Sequence, residues 1–139
     1  MKTTIAAMAF LALAISGCSQ PITETETLLV CEGDATSLIA GFGGKERQTF
    51  TTTKLGEKVT KVKTEHDTYT LEKVDISTKD NKGPIYKQLI VEPDKLILRV
   101  EITEDKRTSE TVLFNTGAYK QDRMLGWAEG QCTVAKKAF

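Results

Sequence analysis

Residues 95–103, KLILRVEIT, carry the clearest indication of the fold. Leucine, valine and isoleucine occupy the even positions of this stretch, and Arg99 and Glu101 stand between them. Only Ile97 breaks the alternation. A period of two is typical of a β-strand that buries one face and exposes the other to solvent. The stretch therefore predicts a half-buried strand.

Turn-forming residues divide the rest of the chain at intervals of about ten residues, a spacing typical of sandwiches and barrels. Turns are predicted at Gly33-Asp34, residues 41–44, Gly56, residues 79–84, Pro93-Asp94, Asp105-Lys106 and Gly117. Strands are predicted over residues 27–32, 47–53, 58–64, 68–77, 85–91, 95–103, 109–116 and 129–135. Residues 35–40 are read as a short turn of helix or an irregular segment. The prediction is all-β: a single antiparallel barrel or sandwich of about eight strands.

The composition supports this class and limits the partners. Eighteen threonines follow Cys18, and threonine is β-branched and favours a pleated surface. The 19 basic and 19 acidic residues are mixed along the chain, so no concentrated positive charge indicates a nucleic-acid partner. About 120 residues remain after the leader described next, which is the size of one domain.

Residues 1–17 have the character of an export signal. Lys2 is the only charge, and eleven consecutive apolar residues follow at positions 5–15. That run is too short to span a membrane but fits the apolar core of a signal peptide. Ile15-Ser16-Gly17-Cys18 resembles the bacterial lipobox, which implies cleavage before Cys18 and lipid on its sulfur. An ordinary secreted protein is the alternative.

The lipobox resemblance implies a location. Several acyl chains hold a protein at a membrane permanently, whereas one binds reversibly. Ser19, where an Asp would resemble an inner-membrane retention signal, favours the outer membrane, with the domain facing the periplasm. Residues 18–26 are predicted to be a lipidated tether, and residues 27–139 the β-domain.

Two cysteines remain once Cys18 is assigned to lipid. An even number in an exported protein indicates a disulfide, here Cys31 to Cys132, although two free thiols are the alternative. Such a bridge requires the first and last strands to be close in space. A metal site is not expected, because His66 is the single histidine and no Cys-x-x-Cys occurs.

No stretch predicts catalysis or a cofactor. Glu65-His66-Asp67 contains the one group with a suitable pKa for acid–base chemistry, but an exposed turn explains it equally. Residues 41–45, GFGGK, lack the spacing of a phosphate-binding loop and are predicted to be a flexible loop. The chain is therefore expected not to be an enzyme.

Residues 116–132, TGAYKQDRMLGWAEGQC, include the only tryptophan. Gly117, Tyr119, Trp127 and Gly130 resemble the motifs of the membrane-bound inhibitors of c-type lysozyme, which are small lipoproteins with an eight-stranded barrel and a disulfide. In that alignment Thr116 takes the place of the family's serine, and Glu129 that of its lysine. Cys31-Glu32-Gly33 and Gly130-Gln131-Cys132 also resemble paired motifs of uncharacterised proteobacterial lipoproteins.

Three functions follow as expectations. The first is a non-enzymatic envelope lipoprotein that binds a macromolecular partner. The second is a lysozyme inhibitor, and the third a carrier of a small apolar ligand inside the barrel. A barrel interior packed by the even residues 96–102 would argue against a carrier, and a roomy apolar cavity would argue for one. The residues expected to contact a partner are Thr116, Tyr119, Lys120, Trp127 and Glu129.

Overall fold

The structure is a computed structural model, and it describes residues 23–37, 43–79, 83–104, 106–123 and 125–135. Within these ranges the chain forms ten antiparallel strands and no helix. The strands are β1 (Glu24–Ser37), β2 (Gly43–Leu55), β3 (Lys58–Lys63), β4 (Thr68–Thr70), β5 (Val74–Asp75), β6 (Ile85–Glu92), β7 (Lys95–Ile102), β8 (Arg107–Phe114), β9 (Ala118–Arg123) and β10 (Gly126–Val134). The predicted all-β class is confirmed.

The strands form one sheet in the order β4-β3-β2-β1-β10-β9-β8-β7-β6-β5. Consecutive strands are paired throughout, except that β4 and β5 do not pair and β1 pairs with β10. Strand β7 contains the KLILRVEI alternation, and its partners β6 and β8 continue the apolar inner face through Leu89↔Leu98 and Leu96↔Leu113. The sheet is an up-and-down meander that curls into a nearly closed barrel.

The first and last strands are held together by the predicted disulfide. Cys31 and Cys132 are directly opposite in the β1–β10 ladder, and their Cα atoms lie 3.8 Å apart. Two residues further along the same ladder, Gly33 faces Gly130. A Cβ atom added to Gly130 would lie 2.1 Å from the carbonyl oxygen of Glu32. The two backbones are therefore too close for any larger residue at this pair.

Side chains complete the barrel where the ladder is interrupted. Strand β6 lies beside β4 without pairing with it. Lys87 of β6 forms an ion pair with Asp67 at 3.3 Å, and its ammonium lies 5.4 Å from the centre of the Tyr69 ring. The Gln88 amide donates a hydrogen bond to the Leu71 carbonyl at 3.1 Å. These contacts make the junction between β4 and β6.

The packed core fills the middle of the barrel. Nine buried side chains form one cluster: Cys31, Phe50, Val59, Val62, Leu89, Leu98, Leu113, Tyr119 and Ala128. They come from eight strands, which is the pattern expected when inward positions alternate around a barrel.

Several details of the sequence prediction need correction. Gly33-Asp34 is not a turn but lies inside β1, because Gly33 provides the close approach to β10. Strand β1 begins at Glu24, so the last residues of the predicted tether are paired with β2. Residues 35–37 also belong to β1, and residues 38–40 lie outside the described ranges. The predicted strand 68–77 is interrupted between β4 and β5.

Two further differences concern β9 and the leader. Strand β9 was not predicted, because the inward residues Gln121 and Arg123 are polar and hide the alternation. Cys18 and the lipobox resemblance lie outside the described residues, as do Gly41 and Phe42 of the predicted loop, whereas residues 43–45 belong to β2. Across the described ranges, no helix has the length and apolar character needed to cross a membrane.

Candidate functional site

The hairpin of β9 and β10 carries four of the five residues expected to contact a partner. Tyr119 points inward and is 1% exposed, whereas Lys120 points outward and is exposed. Lys120 lies directly opposite Glu129 on the outer face. The structure therefore brings Lys120 and Glu129 together and separates Tyr119 from both.

The other two residues, Trp127 and Thr116, lie beside opposite ends of strand β9. Trp127 pairs with Asp122 near the β9–β10 turn and is 47% exposed. Thr116 lies in the turn before β9. The four residue steps from Ala118 to Asp122 alone span about 13 Å of strand. Thr116 and Trp127 therefore cannot contact the same small patch.

Glu65 and His66 lie in the exposed turn between β3 and β4, as the sequence predicted. The imidazole Nε2 is 3.8 Å from the Glu65 carboxylate, and both side chains are largely exposed. Thr64 accepts hydrogen bonds from the backbone N–H groups of His66 and Asp67, which fixes the turn. Glu65, His66 and Asp67 are therefore explained as parts of a surface turn.

A large, mainly apolar cavity lies at the end of the barrel where β1 begins. Three cross-strand pairs line it, Leu29↔Val134, Val91↔Leu96 and Leu96↔Leu113. We call this cavity the apolar cup; its volume is about 800 Å³. Its lining also includes Thr52, Leu55, Val59, Phe114 and Cys132. The cup is a concave apolar site within the size range of ligand pockets.

The floor of the apolar cup adjoins the packed core, and its rim is partly charged. Cys132 reaches the cup from the disulfide, and Leu113 is part of the packed core. Three lysines and two glutamates stand at the rim: Lys54, Lys58, Lys95, Glu57 and Glu92. Lys95 approaches Glu92 at 3.8 Å. Among the described residues, Lys54 and Lys58 form no ion pair. Two cationic side chains therefore stand at the rim of the apolar cup without an acidic partner in the described part of the chain.

The opposite end of the barrel is polar inside. Glu46 and Gln48 of β2 face Gln121 and Arg123 of β9, and Thr111 of β8 completes the group. Gln48 donates to Glu46 at 2.6 Å and to Gln121 at 3.0 Å, and Gln121 donates to Thr111 at 2.8 Å. Arg123 donates to both Gln121 and Glu46. These side chains use their hydrogen-bonding groups on one another. The group therefore fills this end of the barrel and offers few free donors to a ligand.

One polar atom beside this group has no partner. The Tyr119 hydroxyl is buried and, among the described residues, has no hydrogen bond. Burial raises the pKa of Tyr119 above its ordinary value of 10.0, and the Glu46 carboxylate raises the pKa further. The hydroxyl is thus held in its neutral form without the compensation that a buried polar group usually has.

Replacing Tyr119 with Phe should therefore leave the free energy of unfolding unchanged or raise it by about 1 kcal/mol at neutral pH. The pKa of Tyr119 is higher in the folded chain than in the unfolded chain, where it is about 10. The free energy of unfolding is therefore not reduced by this group below about pH 10, and it falls as the pH rises through the folded-state pKa. Tyr119→Phe should reduce that alkaline loss. Urea unfolding at pH 7 and pH 11 measures both effects.

Tyr86→Phe on the outer face of β6 is the control and should change stability at pH 7 by less than about 0.5 kcal/mol. A loss of more than about 1 kcal/mol in Tyr119→Phe would mean that the hydroxyl has a hydrogen-bond partner.

The outer face over the glycine pair carries charges of both signs, and the two acidic residues Glu129 and Asp34 are directly opposite each other. Lys120, Glu129, Asp34 and Lys45 lie in one row across four strands, and Lys45 pairs with Asp34 at 3.2 Å. Both side chains of that pair are highly exposed, so it contributes little stability. The described residues contain no group of three or more His, Cys, Asp or Glu side chains able to hold a metal ion.

The sequence pattern identified one apolar residue of the cup, Leu96, but not the cup. Leu96 was predicted to face the core, and it does, yet no local pattern shows that the inward residues near Leu96 leave space. The sequence contains no motif for the cavity, because its walls come from seven different strands.

A scan of protein-family models and searches of curated proteins and of solved structures each found no match.

Proposed function

We propose that this chain is a lipid-anchored, non-enzymatic envelope protein whose barrel binds a long hydrocarbon chain in the apolar cup. The observation that carries the proposal is the cup itself: about 800 Å³ of apolar space, open at one end of a barrel whose middle is packed. A barrel filled for stability alone has no need of such a space, since unfilled apolar volume costs stability.

The lining indicates the chemistry of the ligand. Leu29, Leu96 and Leu113 offer apolar walls, and Thr52 is the one buried polar residue that faces the space. Transfer of methylene groups from water to such walls contributes about 0.8 kcal/mol each. Lys54 and Lys58 at the rim favour a negatively charged head. The ligand class is therefore an anionic amphiphile such as a fatty acid.

The location rests on the resemblance of Ile15-Ser16-Gly17-Cys18 to the lipobox. A ligand with a long acyl chain is abundant in a membrane and scarce in water. A protein that is tethered at the membrane therefore meets this ligand class where it is most concentrated. The tether and the cup support each other as parts of one function.

Binding can be tested with residues 18–139, which contain all the described strands, and with cis-parinaric acid as the fluorescent probe. The probe should bind in one-to-one stoichiometry, and oleate should displace it. Leu29→Trp fills the apolar cup and should weaken binding at least tenfold. Leu28→Trp is the matched control, because Leu28 is the preceding residue of the same strand and is exposed on the outer face.

Equal binding by both tryptophan variants would place the probe elsewhere, and no saturable binding by the wild-type chain would end the proposal. Thermal unfolding of each variant shows whether it is folded. Butyrate, whose chain is too short to use the cup, serves as the negative ligand.

A second candidate function is supported by the other end of the barrel. Trp127 and Leu125 are 47% and 51% exposed, and exposed aromatic residues are frequent at protein interfaces. We infer that a macromolecular partner in the envelope would contact this end, together with Lys120 and Glu129. Loss of a captured partner from envelope extract in Trp127→Ala, but not in Leu28→Ala, would support this function. A lytic assay with lysozymes tests the inhibitor hypothesis directly.

A further inference from the structure

The rim of the apolar cup combines exposed apolar side chains with lysines and glutamates. Leu55, Val91 and Val134 are 44%, 39% and 64% exposed, and all three line the mouth of the cup. They come from three separate strands, so exposed apolar side chains stand at several points around the mouth, between the charged residues of the rim. Large apolar side chains clustered at one opening indicate an interaction surface.

The chain reaches the barrel at the same end. The backbone N–H of Gly56, in the turn after β2, donates a hydrogen bond to the Thr23 carbonyl at 3.2 Å. This contact fixes the start of the described chain beside Leu55 at the rim. Five residue steps separate Thr23 from Cys18 and span at most about 18 Å. A membrane anchor at Cys18 would therefore keep the mouth of the cup near the bilayer.

From these two observations we propose that the barrel docks on the lipid bilayer with the mouth of the apolar cup facing the membrane. Leu55, Val91 and Val134 enter the interfacial region of the bilayer, and the ammonium groups of Lys54 and Lys58 lie at the level of the lipid phosphates. Trp127 then points away from the membrane, because it lies at the other end of the barrel.

This orientation has a consequence for the proposed function. A cup that opens into the bilayer can take up an acyl chain without exposing it to water. The orientation rests on the rim and on the position of Thr23, whereas ligand binding rests on the volume of the cup. The two proposals therefore fail separately.

The orientation is measurable because the chain has one tryptophan and one cysteine outside the disulfide. Residues 18–139 are coupled through the Cys18 thiol to maleimide lipids in vesicles of brominated phosphatidylcholine, which quenches tryptophan at the depth of the acyl chains. In a Trp127→Phe background, Leu55→Trp should lose at least half of its fluorescence relative to vesicles without bromine. Wild-type Trp127 should lose almost none.

Val134→Trp in the same background is a second rim reporter, on a different strand, and keeps the test valid if Leu55→Trp does not fold. Quenching of either folded rim reporter without quenching of Trp127 supports the orientation. Quenching of Trp127, or equal fluorescence of folded rim reporters on both kinds of vesicle, would overturn it. Parinaric acid binding by the same proteins is measured separately and reports only on the cup.

Discussion

Reduction of the Cys31–Cys132 bridge should lower the midpoint of thermal unfolding by about 10 °C or more. The bridge closes a loop with a sequence separation of 101 residues, for which chain entropy predicts about 4.7 kcal/mol, and measured bridges commonly give about 2–4 kcal/mol. For a domain of this size, each kcal/mol shifts the midpoint by several degrees. Circular dichroism with and without reductant measures the shift.

Two variants separate the bridge from other effects of the reductant. The double variant Cys31→Ala and Cys132→Ala should unfold near the midpoint of the reduced wild type and should not respond to reductant. Cys18→Ser should respond as the wild type does, because Cys18 takes no part in the bridge. A wild-type midpoint that is the same in both conditions would show that Cys31 and Cys132 are not paired.

Gly130→Ala should lower the free energy of unfolding by about 3 kcal/mol or more, at the upper end of the range for overpacked sites. The added Cβ would lie 2.1 Å from the Glu32 carbonyl oxygen and 2.5 Å from the Gly33 Cα atom. Both contacts are with backbone, and the neighbouring disulfide prevents β1 and β10 from separating. Urea unfolding measures the loss.

Gly44→Ala in β2 is the control, because nothing lies within 4 Å of its added Cβ. Its stability should change by less than about 1 kcal/mol, and alanine is the better residue for chain entropy. If Gly130→Ala were as stable as Gly44→Ala, the close approach of β1 and β10 would be wrong.

The sequence was most informative where inward residues are apolar and outward residues are charged. Residues 95–103 meet that condition, so β7 was predicted nearly to the residue. The pairing of Cys31 with Cys132 followed from the number of cysteines and from the predicted export signal, and with it the proximity of the terminal strands. These features depend on local chemistry or on counting, which a single sequence supplies.

Prediction failed where the barrel interior is polar or where two strands approach closely. Strand β9 places Gln121 and Arg123 inside, so the usual relation between polarity and exposure is reversed. Gly33 has the identity of a turn residue but is needed for its small size beside Gly130. Neither role can be recognised without the strand on the other side of the ladder.

The candidate site was the least predictable feature. The apolar cup depends on which ends of which strands meet, and on how far the inward side chains of Leu29, Leu96 and Val134 fail to fill the space between them. A local pattern identifies each residue as inward-facing but says nothing of the distance across the barrel. An apolar carrier was therefore only one of the three functions expected from the sequence.

Methyl NMR of residues 18–139 during titration with oleate tests the central claim most directly, because it locates the ligand as well as detecting it. We expect saturable shifts at the methyl groups of Leu29, Leu96 and Leu113, and none at Leu125 beyond the polar end of the barrel. Shifts at Leu125 without shifts in the cup, or no saturable shifts at any methyl group, would contradict the account.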